Sequence, residues 1–258
     1  MRVVVKVGSH VLSEQNRIEK TRMLNLVAFL VELMKNHEVI LVSSAAVAAG
    51  YSKLKLDKSS LPNRQAIAAV GQPHLIELYN KKLAKFDKIG AQILLTADDF
   101  DSRKRTQNAK CAVDTLIKHD VLPIINENDA TAIEELVFGD NDQLSAHVTH
   151  YFGADLLVIL SDIDGYYDKD PRKHSDAVMK KVVYRIEKEE LEVPQNTGSE
   201  FATGGIVTKL KSADFLLKRK QDMFMCSGFD LNDVKSYMLD GIHKGGTLFT
   251  CKGFKKWK

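Results

Sequence analysis

The chain has 258 residues, of which 44% are hydrophobic and 28% are charged, and its formal net charge is +3. These values are typical of a globular protein with a substantial core, and they exclude a mainly disordered chain. The slight net charge gives no indication of a nucleic acid or membrane partner, and three scattered cysteines without a CxxC pair indicate neither a zinc site nor a disulfide framework.

Short β-branched runs alternate with longer amphipathic stretches. The runs predict strands at 3–7, 39–42, 91–95, 121–125, 156–160, 223–225 and 247–250. The stretches predict helices at 20–36, 64–86, 106–118, 142–152, 204–219 and 231–240. This alternation favours an α/β fold with a mostly parallel sheet covered on both faces. No linker or repeat divides the chain, so we expect one continuous sheet, with an irregular excursion at 164–195.

The first predicted strand contains a charged residue, Lys6, among valines. A buried ammonium is costly unless it is paired. Lys6 is therefore either a fixed cation that faces a phosphate or an edge-strand lysine that reaches water. The strand alone does not separate these alternatives.

The second predicted strand is followed by a run of small residues from Ser43 to Gly50. Small side chains allow a substrate to approach the backbone and the start of a helix. They equally allow a helix that packs tightly on the sheet. Both interpretations stay open at this point.

The fourth predicted strand opens into Asn126-Glu127-Asn128-Asp129, and Gly139-Asp140-Asn141-Asp142 follows soon after. Carboxylates that lie this close repel each other, so the cluster indicates a cation, either a metal ion, a substrate ammonium or both. A long solvated turn is the alternative, because Asn, Asp and Gly are common turn formers.

Two later segments add polar groups where ligands of a parallel sheet bind. The strand at 156–160 ends in Ser161-Asp162, and Gly204-Gly205 precedes a helix that carries Lys209. Glycines before a helix N-terminus leave amides that can face an anion. The spacing differs from the GxxxxGK[ST] loop, and no GxGxxG follows the first strand, which counts against a dinucleotide-binding dehydrogenase. With Lys6 and the acidic cluster, these groups predict phosphoryl transfer.

The order of these motifs resembles that of the glutamate 5-kinases in the amino acid kinase superfamily. The resemblance spans residues 2–249 and rests on six segments, 6–9, 44–50, 123–129, 139–146, 161–167 and 203–209. Its NEND and GDND sequences are more specific to this group than to carbamate, acetylglutamate, aspartate or uridylate kinases. The resemblance implies a three-layer α/β/α sandwich and a single domain over 1–258, with an acceptor lobe at about 1–150 and a nucleotide lobe at about 151–250.

The resemblance also implies roles for individual residues. The catalytic set would be Lys6, Asp142 and Lys209, with the lysines on the phosphates and Asp142 organising them. L-Glutamate would be held by Ser44, Asp129 and Asn141. The ATP site would be lined by Lys6, Ser161, Asp162, Thr203, Gly204, Gly205, Ile206, Val207, Thr208 and Lys209. No protein ligand is assigned to a metal, because Mg²⁺ is expected to be held mainly by ATP and water.

The implied activity is ATP-dependent phosphorylation of the 5-carboxylate of L-glutamate, the first step toward proline. Acetylglutamate kinase, whose substrate lacks a free ammonium, is the nearest alternative. A non-catalytic amino-acid sensor with the same fold is another, although both lysines and Asp142 argue against it. Family precedent implies a homodimer or tetramer and feedback inhibition by proline. No apolar run approaches the roughly 18 residues of a membrane span, so we expect a cytoplasmic protein without a membrane partner. The slight net charge makes a nucleic acid partner equally unexpected.

Three departures from many relatives are visible. Ala45 stands where many carry glycine, which alters the approach of the backbone to a substrate. Ile206-Val207 replaces Met-Ser after the glycine pair, which removes a hydroxyl near the nucleotide. Many relatives also carry a C-terminal PUA domain, and we expect none here because the sequence ends soon after Phe249.

Overall fold

One mostly parallel sheet forms the centre of the fold. The computed structural model describes residues 1–132, 141–192 and 205–252. Its strands are β1 (Arg2–Val7), β2 (Ser13–Glu14), β3 (Arg17–Ile18), β4 (Glu38–Ser43), β5 (Ile89–Leu95), β6 (Val121–Glu127), β7 (Leu156–Ser161), β8 (Val182–Val183), β9 (Asp222–Ser227) and β10 (Thr247–Phe249). Within these ranges β2 and β3 form a hairpin, and the other eight form one sheet in the order β5-β6-β4-β1-β7-β9-β10-β8. Neighbours are parallel except β9 and β10.

Helices cover both faces of this sheet. They are α1 (Ser9–Leu12), α2 (Lys20–Met34), α3 (Ala46–Tyr51), α4 (Leu61–Leu83), α5 (Ala97–Asp101), α6 (Arg103–Lys118), α7 (Asp142–Tyr151), α8 (Lys188–Leu191), α9 (Ile206–Leu217) and α10 (Asn232–Lys235). One core packs the sheet against α2, α4 and α10, and a second core packs it against α6, α7 and α9. The predicted three-layer α/β/α sandwich is therefore confirmed.

The spacing of the buried side chains along each element explains which core the element contacts. Val3, Val5 and Val7 of β1 face the core beside α2, while Val4 faces the opposite core, as expected for alternating side chains in a strand buried on both faces. The apolar stripe of α2 supplies six buried residues, Met23, Leu26, Val27, Phe29, Leu30 and Leu33. Each predicted strand and helix occurs, and the ends differ from the prediction by at most three residues except at α10, which ends at Lys235 and continues as a π-helical turn over Ser236–Asp240.

The sequence did not predict the shortest elements. The β2–β3 hairpin turns through Gln15 and Asn16, whose φ angles are 48° and 60°. Strand β8 has two residues and pairs with β10 from within the irregular excursion. Elements this short show no measurable periodicity. In the part of the chain that the structure describes, no helix is both long and apolar enough to cross a membrane.

Candidate active site

Buried polar side chains gather at the carboxyl ends of β1, β4, β6 and β7. Eight of them are no more than 5% exposed, namely Lys6, Ser44, Asn126, Glu127, Asp129, Asn141, Asp142 and Ser161. Ligands of open parallel sheets bind at this edge. The acidic cluster is therefore not a solvated turn at its described residues, while Gly139 and Asp140 lie outside them.

Asp142 lies between the two predicted phosphate lysines. Its Oδ1 is 2.7 Å from Lys6 Nζ, and its Oδ2 is 3.1 Å from Lys209 Nζ. Thr208 Oγ1 also donates to Oδ2, at 3.0 Å, and Lys209 Nζ donates to the carbonyl of Gly205 at 3.0 Å. The structure thus brings together residues from β1, α7 and α9 that are far apart in sequence.

The fold explains why each group of this cluster is buried. Strand β1 pairs with β4 on one side and β7 on the other, so Lys6 is not on an edge strand, and its exposure is 1%. Asp142 begins α7, where the helix dipole favours a carboxylate. Lys209 lies in the first turn of α9 and is 5% exposed. The interpretation of Lys6 as a lysine that reaches water is therefore wrong.

The three side chains of this cluster carry two positive charges and one negative charge. Two ammonium groups face one carboxylate, so these three side chains together hold one net positive charge away from solvent. Buried charges are stabilised by pairing, and Asp142 also reduces the repulsion between the two lysines. Such an excess of positive charge suits an anionic ligand, above all a phosphoryl group.

The predicted glutamate residues lie in a hydrogen-bonded pocket beside this cluster. Asn141 Nδ2 donates to Asn126 Oδ1 at 2.7 Å, to the carbonyl of Ser43 at 3.2 Å and to Ser44 Oγ at 3.3 Å. Its own Oδ1 is buried and has no hydrogen-bond partner among the described residues. Asp129 is 2% exposed and accepts from Gln72 Nε2 at 3.3 Å. The pocket therefore presents carboxylate and amide oxygens, which suit a cationic donor.

Sequence reasoning missed Gln72. This residue lies on α4 and is 6% exposed. It shares the buried face of that helix with Ala68, Leu75 and Tyr79. A polar residue at a position whose helical neighbours are core residues was the available signal, because a buried amide needs partners.

The small-residue run forms α3, and it packs very tightly on α4. A Cβ added to Gly50 would stand 1.8 Å from the carbonyl oxygen of Ile67, and one added to Gly71 would stand 1.8 Å from that of Ala46. Ala45, at the N-cap of α3, has a φ of 82°, which L-residues rarely adopt. The close-packing interpretation of this run is thus correct, and the same packing places α3 directly after Ser44.

Tyr79 connects this packing to the pocket. Its hydroxyl lies 2.8 Å from Ser43 Oγ, and Ser43 Oγ in turn donates to the carbonyl of Ser44 at 3.0 Å. Complete burial raises the pKa of the Tyr79 phenol, so it stays protonated. The end of β4 is therefore held by a neutral hydrogen-bond chain from α4.

The predicted nucleotide residues fall at the ends of β7 and the start of α9. Ser161 Oγ donates to Asp162 Oδ1 at 3.1 Å, and the Asp162 side chain is 48% exposed. Gly205 precedes α9, and Ile206, Val207 and Thr208 are half-exposed in its first turn or at its cap. Thr203 and Gly204 lie outside the described residues.

The described residues offer no metal-ligating cluster at this edge of the sheet. Over residues 1–132, 141–192 and 205–252, no cluster of three or more His, Cys, Asp or Glu side chains has a geometry that could hold a metal ion. Both oxygens of Asp142 already contact lysines.

Comparison with known proteins agrees with this geometry. Residues 1–227 match the amino acid kinase family. The chain is 57% identical to the glutamate 5-kinase of Wolinella succinogenes over 98% of both proteins. It is 52% identical to the glutamate 5-kinase of Leishmania donovani, over 96% of this chain and 94% of that protein. The chain belongs to the amino acid kinase family, and within it to the glutamate 5-kinases.

Solved structures share the fold of this chain. Carbamate kinase from Giardia lamblia, bound to AMP-PNP, aligns with a TM-score of 0.66 over 96% of this chain and 98% of that one. The two sequences are 14% identical. At this identity the likeness concerns the fold alone.

Proposed function

We propose that this chain transfers the γ-phosphoryl group of ATP to the γ-carboxylate of L-glutamate and so makes L-glutamyl 5-phosphate, the first step from glutamate toward proline. The observation that carries the proposal is the buried Lys6–Asp142–Lys209 cluster, which holds two ammonium groups at the ligand-binding edge of the sheet. The relatives named glutamate 5-kinase, at up to 57% identity, support the choice of acceptor.

In the proposed reaction, an oxygen of the substrate γ-carboxylate forms a bond to the γ-phosphorus. The bond from that phosphorus to the β–γ bridging oxygen breaks, and its electron pair leaves with ADP. The nucleophile is already ionised at neutral pH, so no general base is needed. Lys6 and Lys209 neutralise charge on the transferred group and on the bridging oxygen, while Asp142 holds both ammonium groups in place.

The acceptor pocket would bind glutamate through Ser44, Asp129 and Asn141. Asp129 supplies a carboxylate for the substrate ammonium, and the buried Oδ1 of Asn141 supplies a second acceptor. Ser44 Oγ, which accepts from Asn141 Nδ2, would contact the substrate at the end of β4. An N-acetylated substrate offers an amide in place of the ammonium, so it would lose the charge interaction with Asp129.

The nucleotide would bind on the other side of the cluster. We assign it to Ser161 and Asp162 at the end of β7 and to the segment from Thr203 through Gly204, Gly205, Ile206, Val207 and Thr208 to Lys209. In the strand order, β5, β6, β4 and β1 form one half of the sheet, and β7, β9, β10 and β8 form the other half. An acceptor lobe at about 1–150 and a nucleotide lobe at about 151–250 would meet between β1 and β7. Mg²⁺ would enter with ATP and would be held by its phosphates and by water.

ADP release in MgATP tests this function directly. Glutamate, acetylglutamate, aspartate and UMP are supplied in parallel to the purified chain, and release of ADP is followed in each. The proposal requires release with glutamate well above the other three acceptors. Preference for acetylglutamate would assign the other amino acid kinase activity, and no release with any acceptor would favour a sensor without turnover.

The proposal also covers the oligomeric state, the location and the inhibition of the enzyme. We propose a homodimer or tetramer that works in the cytoplasm and is inhibited by proline at the glutamate pocket. A carboxylate and an ammonium are shared by proline and glutamate, so Asp129 would contact either one. Light scattering gives the mass in solution, and proline that raises the glutamate KM without changing the ATP KM would agree with a shared pocket.

A further inference from the structure

Gln72 is the centre of a buried network of amide groups beneath the acceptor pocket. Its Nε2 donates to Asp129 Oδ2 at 3.3 Å and to the carbonyl of Glu127 at 3.1 Å. Its Oε1 accepts from Gln92 Nε2 at 2.8 Å and from Asn126 Nδ2 at 3.2 Å. All four hydrogen-bonding sites of this side chain are therefore used.

These partners determine which way the Gln72 amide points. A reversed amide would place its oxygen against the carboxylate of Asp129 and the carbonyl of Glu127, and its NH₂ against two NH₂ donors. Each of these contacts would be repulsive in a buried site. The observed orientation is thus the one that offers a donor to Asp129.

The hydrogen bonds continue from Gln72 through Asn126 to Asn141, with each amide donating to the one before it. Because Asn126 donates its NH₂ to Gln72, its Oδ1 turns toward Asn141 and accepts from Asn141 Nδ2 at 2.7 Å. Asn141 therefore uses its NH₂ inside the protein, and its Oδ1 is left without a partner among the described residues. Gln72 thus holds one carboxylate oxygen of Asp129. It fixes the Asn141 amide together with the Glu127 N–H, which donates to Asn126 Oδ1, and the Ser43 carbonyl, which accepts from Asn141 Nδ2.

We propose that Gln72 is a positioning residue that orients these two acceptors toward the primary ammonium of the amino-acid substrate. It does not itself contact the substrate. The inference rests on the proposed function, because it concerns the acceptor pocket of the same reaction. It extends that function because Gln72, which lies outside the substrate-binding residues, would contribute to the preference for glutamate over acetylglutamate.

The test is a comparison of Gln72→Met with Gln65→Met. Gln65 lies on the same helix and donates to the carbonyl of Ala130 at 3.3 Å. It is a matched control because it has the same side chain as Gln72 and hydrogen-bonds to a backbone carbonyl instead of a carboxylate. Loss of a hydrogen bond to a charged group predicts that Gln72→Met raises the glutamate KM about 10- to 100-fold. Its kcat and ATP KM should change by less than about 3-fold, because the lysine cluster is untouched. Gln65→Met should keep the glutamate KM of the wild type.

Two further variants keep the inference testable. Gln72→Glu preserves size but puts a carboxylate against Asp129, so it should raise the glutamate KM at least as much as Gln72→Met does. Gln92→Met removes one of the donors to Gln72 and leaves Gln72 in place, so a rise of about 3-fold is expected even where the Gln72 variants do not fold.

The outcomes separate this inference from the proposed function. A wild-type chain that releases no ADP with glutamate refutes the proposed function. An active wild type, with a folded Gln72→Met variant whose glutamate KM is unchanged, refutes only the role of Gln72. A wild-type KM in Gln92→Met would do the same if the Gln72 variants are unfolded. Equal loss of kcat and of affinity for both substrates would assign Gln72 to folding alone.

Discussion

Replacing Asp142 by asparagine should destabilise the fold as well as stop the reaction. The variant keeps the size of the side chain but leaves Lys6 and Lys209, at 1% and 5% exposure, without the carboxylate that now lies 2.7 and 3.1 Å from their ammonium groups. Removing one partner of a buried ion pair costs about 3–5 kcal/mol. At about 2–4 °C per kcal/mol for a chain of this size, the Tm should fall by about 6–20 °C.

The remaining pairing predicts a smaller effect for Lys6→Met. This change leaves Asp142 paired with Lys209, so the Tm should fall by less than it does in Asp142→Asn. Differential scanning calorimetry at neutral pH measures both variants, with Asp162→Asn as the control. Asp162 is a half-exposed carboxylate at the same edge of the sheet, and its loss should shift the Tm by less than about 2 °C. An Asp142→Asn protein that melts with the wild type would refute the reasoning.

Three other variants test the acceptor side. Ala45→Gly should raise the Tm, because glycine removes a strain of about 1–2 kcal/mol at a φ of 82°, and calorimetry that finds no increase would contradict the strained conformation. Gly50→Ala should disrupt the contact of α3 with α4, because the new Cβ would lie 1.8 Å from the carbonyl oxygen of Ile67. A variant with the Tm and the glutamate KM of the wild type would count against this packing. Asp129→Ala should cost about 2–5 kcal/mol of glutamate binding and leave the ATP KM nearly unchanged, and equal losses in both steady-state KM values would indicate misfolding instead.

The sequence predicted the layers of this fold because its long elements carry strong periodic signals. Helix α2 shows its buried stripe in the spacing of Met23, Leu26, Val27 and Leu30, and β1 and β7 are continuous apolar runs. The elements that it did not predict have two to six residues, as in β8 and α3. Their positions depend on pairing or packing with distant parts of the chain, which local pattern does not contain.

The site was predictable in its residue types but not in its connections. Lys6, Asp142 and Lys209 stood out because charged residues interrupt or follow apolar elements, and the structure brings all three together. The contact of Asp142 with both lysines was expected from the family resemblance alone, because nothing in the local sequence pattern indicated it. Gln72 was missed because a glutamine within an amphipathic helix is ordinary until its partners on β5 and β6 are known.

The central claim is that the buried lysines stabilise the transferred phosphoryl group, and a single-turnover rate tests it most directly. The rate of phosphoryl transfer should be measured for the wild type, Lys6→Met and Lys209→Met at saturating MgATP and glutamate. Loss of one preorganised electrostatic donor predicts a decrease of about 10²–10³-fold in each variant with the fold preserved. A folded Lys6→Met protein that transfers the phosphoryl group at nearly the wild-type rate would make Lys6 a structural residue and contradict the account.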